Sequence, residues 1–128
     1  MAFKILVVDD EPDVLQIVSN RLAREGFAVE RAADGEEALS KFYEFDPDLV
    51  LLDLVMPKLN GFEVLKQIRE KYSDRWRPVI IISANAELET LHKCYDMEAD
   101  HYLTKPCSME VILKGIATMR ALISQRAD

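Results

Sequence analysis

The sequence predicts an α/β domain: a doubly wound, five-stranded parallel sheet of order 2-1-3-4-5, held as the middle layer of a three-layer sandwich. Three observations carry this. Five short apolar runs alternate with five stretches of helical periodicity. The run Leu49 to Leu52 is apolar on both faces, as a strand is when helices cover both sides of its sheet. Finally, 128 residues suffice for one ordinary domain with a core of its own, so residues 1–128 are expected to form a single domain. Right-handed crossovers then give two helix layers, and of the two common doubly wound orders five strands fit 2-1-3-4-5.

From the amino end, Phe3 to Val8 is a β-branched run ending in Asp9-Asp10-Glu11, with Pro12 suited to the first turn of a helix. Val14, Ile17, Val18 and Leu22 recur at helical spacing until Gly26 supplies a stop. Phe27 to Arg31 reads as the second strand and Asp34-Gly35 as a turn, after which Ala38, Leu39 and Phe42 stripe a second helix that ends before Asp46-Pro47. Asp53 stands at the end of the third strand. Pro57, which has no ladder donor, and the turn dipeptide Asn60-Gly61 take the chain out of the sheet just beyond it. Phe62, Leu65, Ile68 and Tyr72 stripe a third helix, and Ser73 to Arg77 reads as a polar loop with the only tryptophan, Trp76. Pro78 to Ile82 is the fourth strand and ends at Ser83-Ala84-Asn85. Leu88, Leu91 and Tyr95 give a shorter fourth helix with a broken stripe, Ala99 to Leu103 a weak fifth strand, and Ser108 caps a fifth helix striped by Ile112, Leu113, Ile116, Met119 and Ile123.

Composition narrows the functional classes. A net charge of -7, with 23 acidic against 16 basic residues, argues against nucleic-acid binding through a basic surface and suits a protein that binds cations or basic partners. Neither a signal peptide nor a run of about 20 apolar residues is present, so no membrane association is expected and the cytoplasm is the default compartment. Cys94 and Cys107 form no C-x-x-C pair and read as small apolar fillers, and His92 and His101 lack ligand spacing.

Ligands of such sheets bind at the carboxyl ends of the strands, beside the switch point between strands one and three. Asp9, Asp10 and Asp53 are expected to meet there, with Ser83 and Lys105 on the same edge. Three carboxylates so close repel one another unless a cation intervenes, and oxygen-only ligands favour a hard divalent ion such as Mg²⁺, or Mn²⁺. An aspartate can attack phosphorus to give an aspartyl phosphate, and Asp53, alone on the middle strand, is the candidate nucleophile, leaving Asp9 and Asp10 to hold the metal. No general base accompanies Asp53, and no glycine-rich phosphate loop offers a site for ATP, so the donor is expected to be a protein or a small phosphorylated molecule. Purely structural readings stay open for each residue: helix capping or a turn for Asp9, Asp10, Ser83 and Asp53, and a solvated loop cation for Lys105.

The motifs Val7-Val8-Asp9-Asp10-Glu11, Leu51-Leu52-Asp53-Leu54-Val55-Met56-Pro57 with Gly61, Ser83-Ala84 and Tyr102-Leu103-Thr104-Lys105-Pro106, in this order and spacing over nearly the whole chain, resemble a bacterial response-regulator receiver domain. The resemblance implies a flavodoxin-like fold in which Asp53 accepts a phosphoryl group from a histidine kinase or histidine phosphotransfer protein. It implies metal ligation by Asp9, Asp10, Asp53 and the backbone carbonyl of Val55, and assigns Lys105 to the phosphoryl oxygens. Ser83 and Tyr102 become the switch residues, and the Lys105-Pro106 bond is expected to be cis. Output is expected as binding of a downstream protein, or self-dimerisation, through the face of helix four, strand five and helix five. Such a chain is a phosphoacceptor of a two-component phosphorelay rather than an enzyme on other substrates, its own chemistry limited to self-phosphotransfer and autodephosphorylation.

Two positions depart from the family pattern: Glu98 stands where a glycine is common, and Cys107 where a phenylalanine usually follows the proline. Val55 cannot hydrogen-bond an attacking water, whereas Asn85 can. Two other classes remain as alternatives. A Mg²⁺-dependent phosphohydrolase with an aspartyl intermediate is weakened because its D-x-D signature needs an acid at Val55, and a receiver-like module that only binds partners is weakened by the complete set Asp9, Asp10, Asp53, Ser83 and Lys105.

Overall fold

The computed structural model describes residues 2–56, 60–72 and 74–126, so Pro57 and Ser73 of the sequence argument lie outside the described residues. In chain order the elements are β1 (Lys4–Val8), α1 (Pro12–Arg24), β2 (Ala28–Ala32), α2 (Gly35–Phe45), β3 (Leu49–Leu52), α3 (Gly61–Lys71), β4 (Val79–Ser83), α4 (Leu88–Asp96), β5 (His101–Thr104) and α5 (Met109–Arg126). The strands form one parallel sheet in the order β2-β1-β3-β4-β5, as the alternation of elements predicts.

Each central strand feeds two cores because successive side chains point to opposite faces. Leu6, Val8, Val50, Leu52 and Ile81 pack on one side with Phe42 of α2, Leu65 and Ile68 of α3 and Cys94 of α4. Ile5, Val7, Leu51, Ile80 and Ile82 pack on the other with Val18 and Leu22 of α1 and Ile112 and Ile116 of α5. A strand buried on both sides explains why Leu49 to Leu52 shows no alternation in the sequence.

The structure revises several local expectations. Asp34-Gly35 and Asn60-Gly61 are helix starts rather than turns: Asp34 Oδ1 accepts from the Glu37 amide at 2.8 Å and Asn60 Oδ1 from the Glu63 amide at 3.1 Å. The residues that favour turns are also those that cap, and only the following helix distinguishes the two. The loop before β4 is not merely polar, since Arg77 is buried against the Phe42 ring with Nη2 donating to Asp46 Oδ1 at 2.7 Å and Nη1 to Asp74 Oδ1 at 2.9 Å. On α4, Leu88 and Tyr95 are exposed, and the buried contact is Cys94. Both cysteines are free, and Cys107 is half-buried.

Candidate functional site

Backbone bonds that continue the sheet just past the strand ends set the site. The Asp9 amide donates to the Ala32 carbonyl at 3.1 Å, the Asp53 amide to the Val8 carbonyl at 3.0 Å, and the Lys105 amide to the Ser83 carbonyl at 2.8 Å. Val8 lies opposite Leu52 in the register, so the residues after them, Asp9 and Asp53, emerge side by side. Ser83 lies opposite Thr104, which carries Lys105 onto the same edge.

Carboxylate oxygens of Asp9, Asp10 and Asp53 lie within 4.8 Å of one another, with Asp9 and Asp53 buried and Asp10 exposed. Lys105 reaches into this group: its Nζ donates to Asp9 Oδ2 at 2.9 Å and Glu11 Oε1 at 3.3 Å, and stands 3.5 Å from Asp53 Oδ2. The solvated loop cation considered from sequence is therefore not what the fold makes of Lys105. Asp9 also accepts the Glu11 amide at 2.9 Å, while α1 begins without a side-chain cap, so helix capping does not account for Asp9. Ser83 is fully buried, and α4 starts at Leu88 with Glu87 as its N-cap residue, which rules out Ser83 as the cap.

Burial pushes the Asp53 carboxyl up to about 6; the Lys105 charge opposes this, and Asp9 and Asp10 add to it. Burial works against the Lys105 charge, yet the hydrogen bond to Asp9 and the carboxylates of Asp53 and Asp9 hold the ammonium pKa above its usual range. Among the described residues one ammonium stands with three clustered carboxylates, which leaves net negative charge in a partly dry pocket whose acidic donors are hard oxygens. That donor set fits a small divalent cation with free positions for water and phosphate oxygens.

Beyond the acids, the Ser83 hydroxyl accepts the Asn85 amide at 3.2 Å. Tyr102 is buried with its hydroxyl donating to the Asn85 carbonyl, so the ring already points inward. Asn85 Nδ2 donates to Thr90 Oγ1 at 3.0 Å and its Oδ1 accepts the Glu87 amide at 2.8 Å, which commits the side chain to the β4–α4 loop. The Lys105-Pro106 bond is cis.

Two contributors escaped the sequence reading. Glu11, the third acid of the run, holds Lys105, and the unbroken triplet Asp9-Asp10-Glu11 was the available signal. Gly61 lets α3 start against the backbone of Asp53 and Leu54: a Cβ there would meet the Asp53 carbonyl and lie 2.6 Å from the Leu54 Cα. No spacing rule announces that approach.

Comparison with known proteins agrees with this geometry. Residues 5–117 match the family model described as the response regulator receiver domain. The chain is 40% identical over 115 residues to the response regulator RR06 of Streptococcus pneumoniae serotype 2, covering 90% of this chain and 52% of that protein. It is 41% identical over 118 residues to the transcriptional regulatory protein ResD of Bacillus subtilis, covering 91% of this chain and 48% of that one. The chain thus spans about half the length of these curated relatives. Among solved structures, the Vibrio cholerae chemotaxis protein CheY4 superposes with a TM-score of 0.86 at 32% identity, over 92% of this chain and 98% of that one.

Proposed function

The chain belongs to the response regulator receiver domain family, signalling switches of two-component systems that are phosphorylated on aspartate with Mg²⁺, and on that premise we propose that Asp53 is its phosphoacceptor. The observation that carries the reading is the convergence of Asp9, Asp10, Asp53 and Lys105 on one sheet edge, with a single ammonium among three carboxylates in the described residues. The donor is a phosphohistidine of a histidine kinase or phosphotransfer protein. An Asp53 carboxylate oxygen attacks phosphorus as the P–N bond breaks with its electron pair returning to the donor ring; with the other ring nitrogen protonated, the products are an acyl phosphate on Asp53 and a neutral histidine on the partner. Asp9, Asp10, Asp53 and the Val55 carbonyl would hold Mg²⁺ or Mn²⁺, which when bound neutralises charge on the transferring oxygens. Lys105, already 3.5 Å from Asp53, then pairs with a phosphoryl oxygen.

The acyl phosphate adds roughly -1.5 to -2 charge and three acceptor oxygens. Ser83 is the hydroxyl within the β4–α4 hinge that can answer it, and Asn85 links that hinge to Tyr102. Ser83 and Tyr102 are therefore the proposed switch. Leu88 and Tyr95 on α4 and Val111 on α5 are exposed apolar side chains, which supports output through the α4–β5–α5 face, to a downstream protein or a second copy. Residues 1–128 are taken as one receiver domain acting in the cytoplasm, without nucleic-acid contact of its own, consistent with the net charge of -7. Among the described residues no helix is long and apolar enough to cross a membrane. No turnover beyond self-phosphotransfer and autodephosphorylation is proposed, and Val55 is not the second acid a phosphohydrolase needs.

The test is intact-mass measurement after incubation with acetyl phosphate or phosphoramidate. One phosphate should add in Mg²⁺, fail to add in EDTA, and disappear with Asp53→Asn. Modification at another residue, or none with any donor, would refute the reading.

A further inference from the structure

A cavity of about 470 Å³ opens beside the acidic cluster, on the side of the sheet covered by α1 and α5. Its walls are apolar: Val14 and Val18 of α1, Ile82 of β4, Ile112 of α5 and the half-buried Cys107. At its polar end stand Asp9, Glu11 and Lys105, with Glu11 turned to solvent. The phosphoacceptor chemistry uses the acids and the lysine but has no use for the apolar space beneath them.

Cys107, a small side chain, stands on one wall of this space. An apolar void of this kind forfeits dispersion contacts and gains them when an apolar body enters. Its volume lies within the range of small-molecule sites, roughly 300–1,000 Å³, which combine apolar walls with a few orienting polar groups. The polar end then fixes the sign of the ligand. Among the described residues Asp9, Glu11 and Asp53 share the single ammonium of Lys105, with Asp10 clustered beside them, so a cationic head group is favoured over an anionic one.

We propose that this cavity is a binding site for a small amphipathic amine, with its aliphatic or aromatic body between α1 and α5 and its ammonium against Asp9 and Glu11. An ammonium at Asp9 competes with a divalent ion for the same carboxylate. Occupancy would then lower phosphorylation of Asp53, a consequence that rests on the phosphoacceptor reading, whereas the binding itself does not.

Straight-chain primary amines from butylamine to octylamine are the probe, with the matching alcohols and carboxylates as controls, added to the metal-free chain. Binding is read by heteronuclear NMR titration and by the rate at which iodoacetamide labels Cys107; Cys94 is fully buried and does not interfere. The expected result is affinity rising about fourfold per added methylene until the cavity is full. Amines should bind more tightly than alcohols and carboxylates, and the bound amine should protect Cys107. Cys107→Phe, which fills the space from one wall, and Val14→Phe, which fills it from the other, should each abolish binding while leaving acetyl phosphate labelling of Asp53 intact. Absence of saturable shifts around the cavity, binding retained in both variants, or carboxylates binding as well as amines would overturn the proposal. None of these three overturning results depends on whether Asp53 takes a phosphate.

Discussion

Lys105 Nζ lies 2.9 Å from Asp9 Oδ2, so the cation proposed for the phosphoryl group pairs with a carboxylate proposed for the metal. Two consequences follow from this pairing. A divalent ion binding at Asp9 would compete with Lys105 for it, and removing the Lys105 ammonium is expected to cost stability.

Lys105→Met should therefore cost stability when no metal is present. The substitution leaves Asp9 and Asp53, both buried, beside Asp10 with no neutralising charge. Breaking such a pair costs about 1–3 kcal/mol once partial exposure of the ammonium is allowed for, roughly 4–10 °C in melting temperature for a domain of this size. Millimolar Mg²⁺ should restore most of it. Thermal unfolding in EDTA and in Mg²⁺ measures both arms; an unchanged melting temperature in EDTA would show that the ion pair contributes no net stability.

The sign of a pH effect comes from Asp53. Its carboxyl titrates at about 6 in the fold against 3.8 as an isolated group, so the folded chain binds more protons than the unfolded one between those values. Stability from this group is thus greatest at low pH and is lost as pH rises through that window. Asp53→Asn removes the penalty. Without metal it should stabilise the chain by about 1–2 kcal/mol at pH 7.5, after discounting for solvent screening, with the gain vanishing near pH 4. Urea unfolding at the two pH values decides it; an equal gain at both would mean that ionisation is not the source.

Gly61→Ala should disturb the site from outside it. The added methyl would lie 2.6 Å from the Leu54 Cα, and backbone cannot yield as a side-chain tip can, so α3 must shift away from the segment that carries Asp53. Overpacking of this kind costs about 1–3 kcal/mol. A slower rate of acetyl phosphate labelling should accompany the loss of stability, because Gly61 also donates its amide to the Leu54 carbonyl at 2.9 Å. Chemical denaturation and a labelling time course provide the two readouts, and a variant with wild-type stability would contradict the close approach.

Glu98 adopts φ 68°, the left-handed conformation in which a side chain is strained. Its carbonyl accepts from Arg69 Nε at 3.0 Å and Nη2 at 2.8 Å, and these bonds help to fix the turn into β5. Glu98→Gly relieves the strain at the expense of extra freedom in the unfolded chain, for a net gain of about 0.5–1 kcal/mol. A lower urea midpoint for the variant would show that the Glu98 side chain makes a compensating contact.

Most of the architecture and the convergence of the candidate site residues on one edge were legible in the sequence. Apolar runs buried on both faces specify a covered parallel sheet, and strand ends in such a sheet point at one edge, so Asp9, Asp10, Asp53, Ser83 and Lys105 could be brought together before any coordinates. The departure at Glu98 was also visible, and the left-handed backbone there gives the reason a glycine suits that position. What depended on partners distant in the chain was not legible. Asp34-Gly35 and Asn60-Gly61 have the chemistry of turns and of helix caps alike, and the following helix decides between them. Lys105 was expected on this edge, but which acids it pairs with, Asp9, Glu11 and Asp53, depended on the sheet register. Tyr102 is inward, Arg77 is buried and a cavity lies over Cys107 because packing, unlike periodicity, is settled by side-chain volumes and charges from segments far apart in sequence.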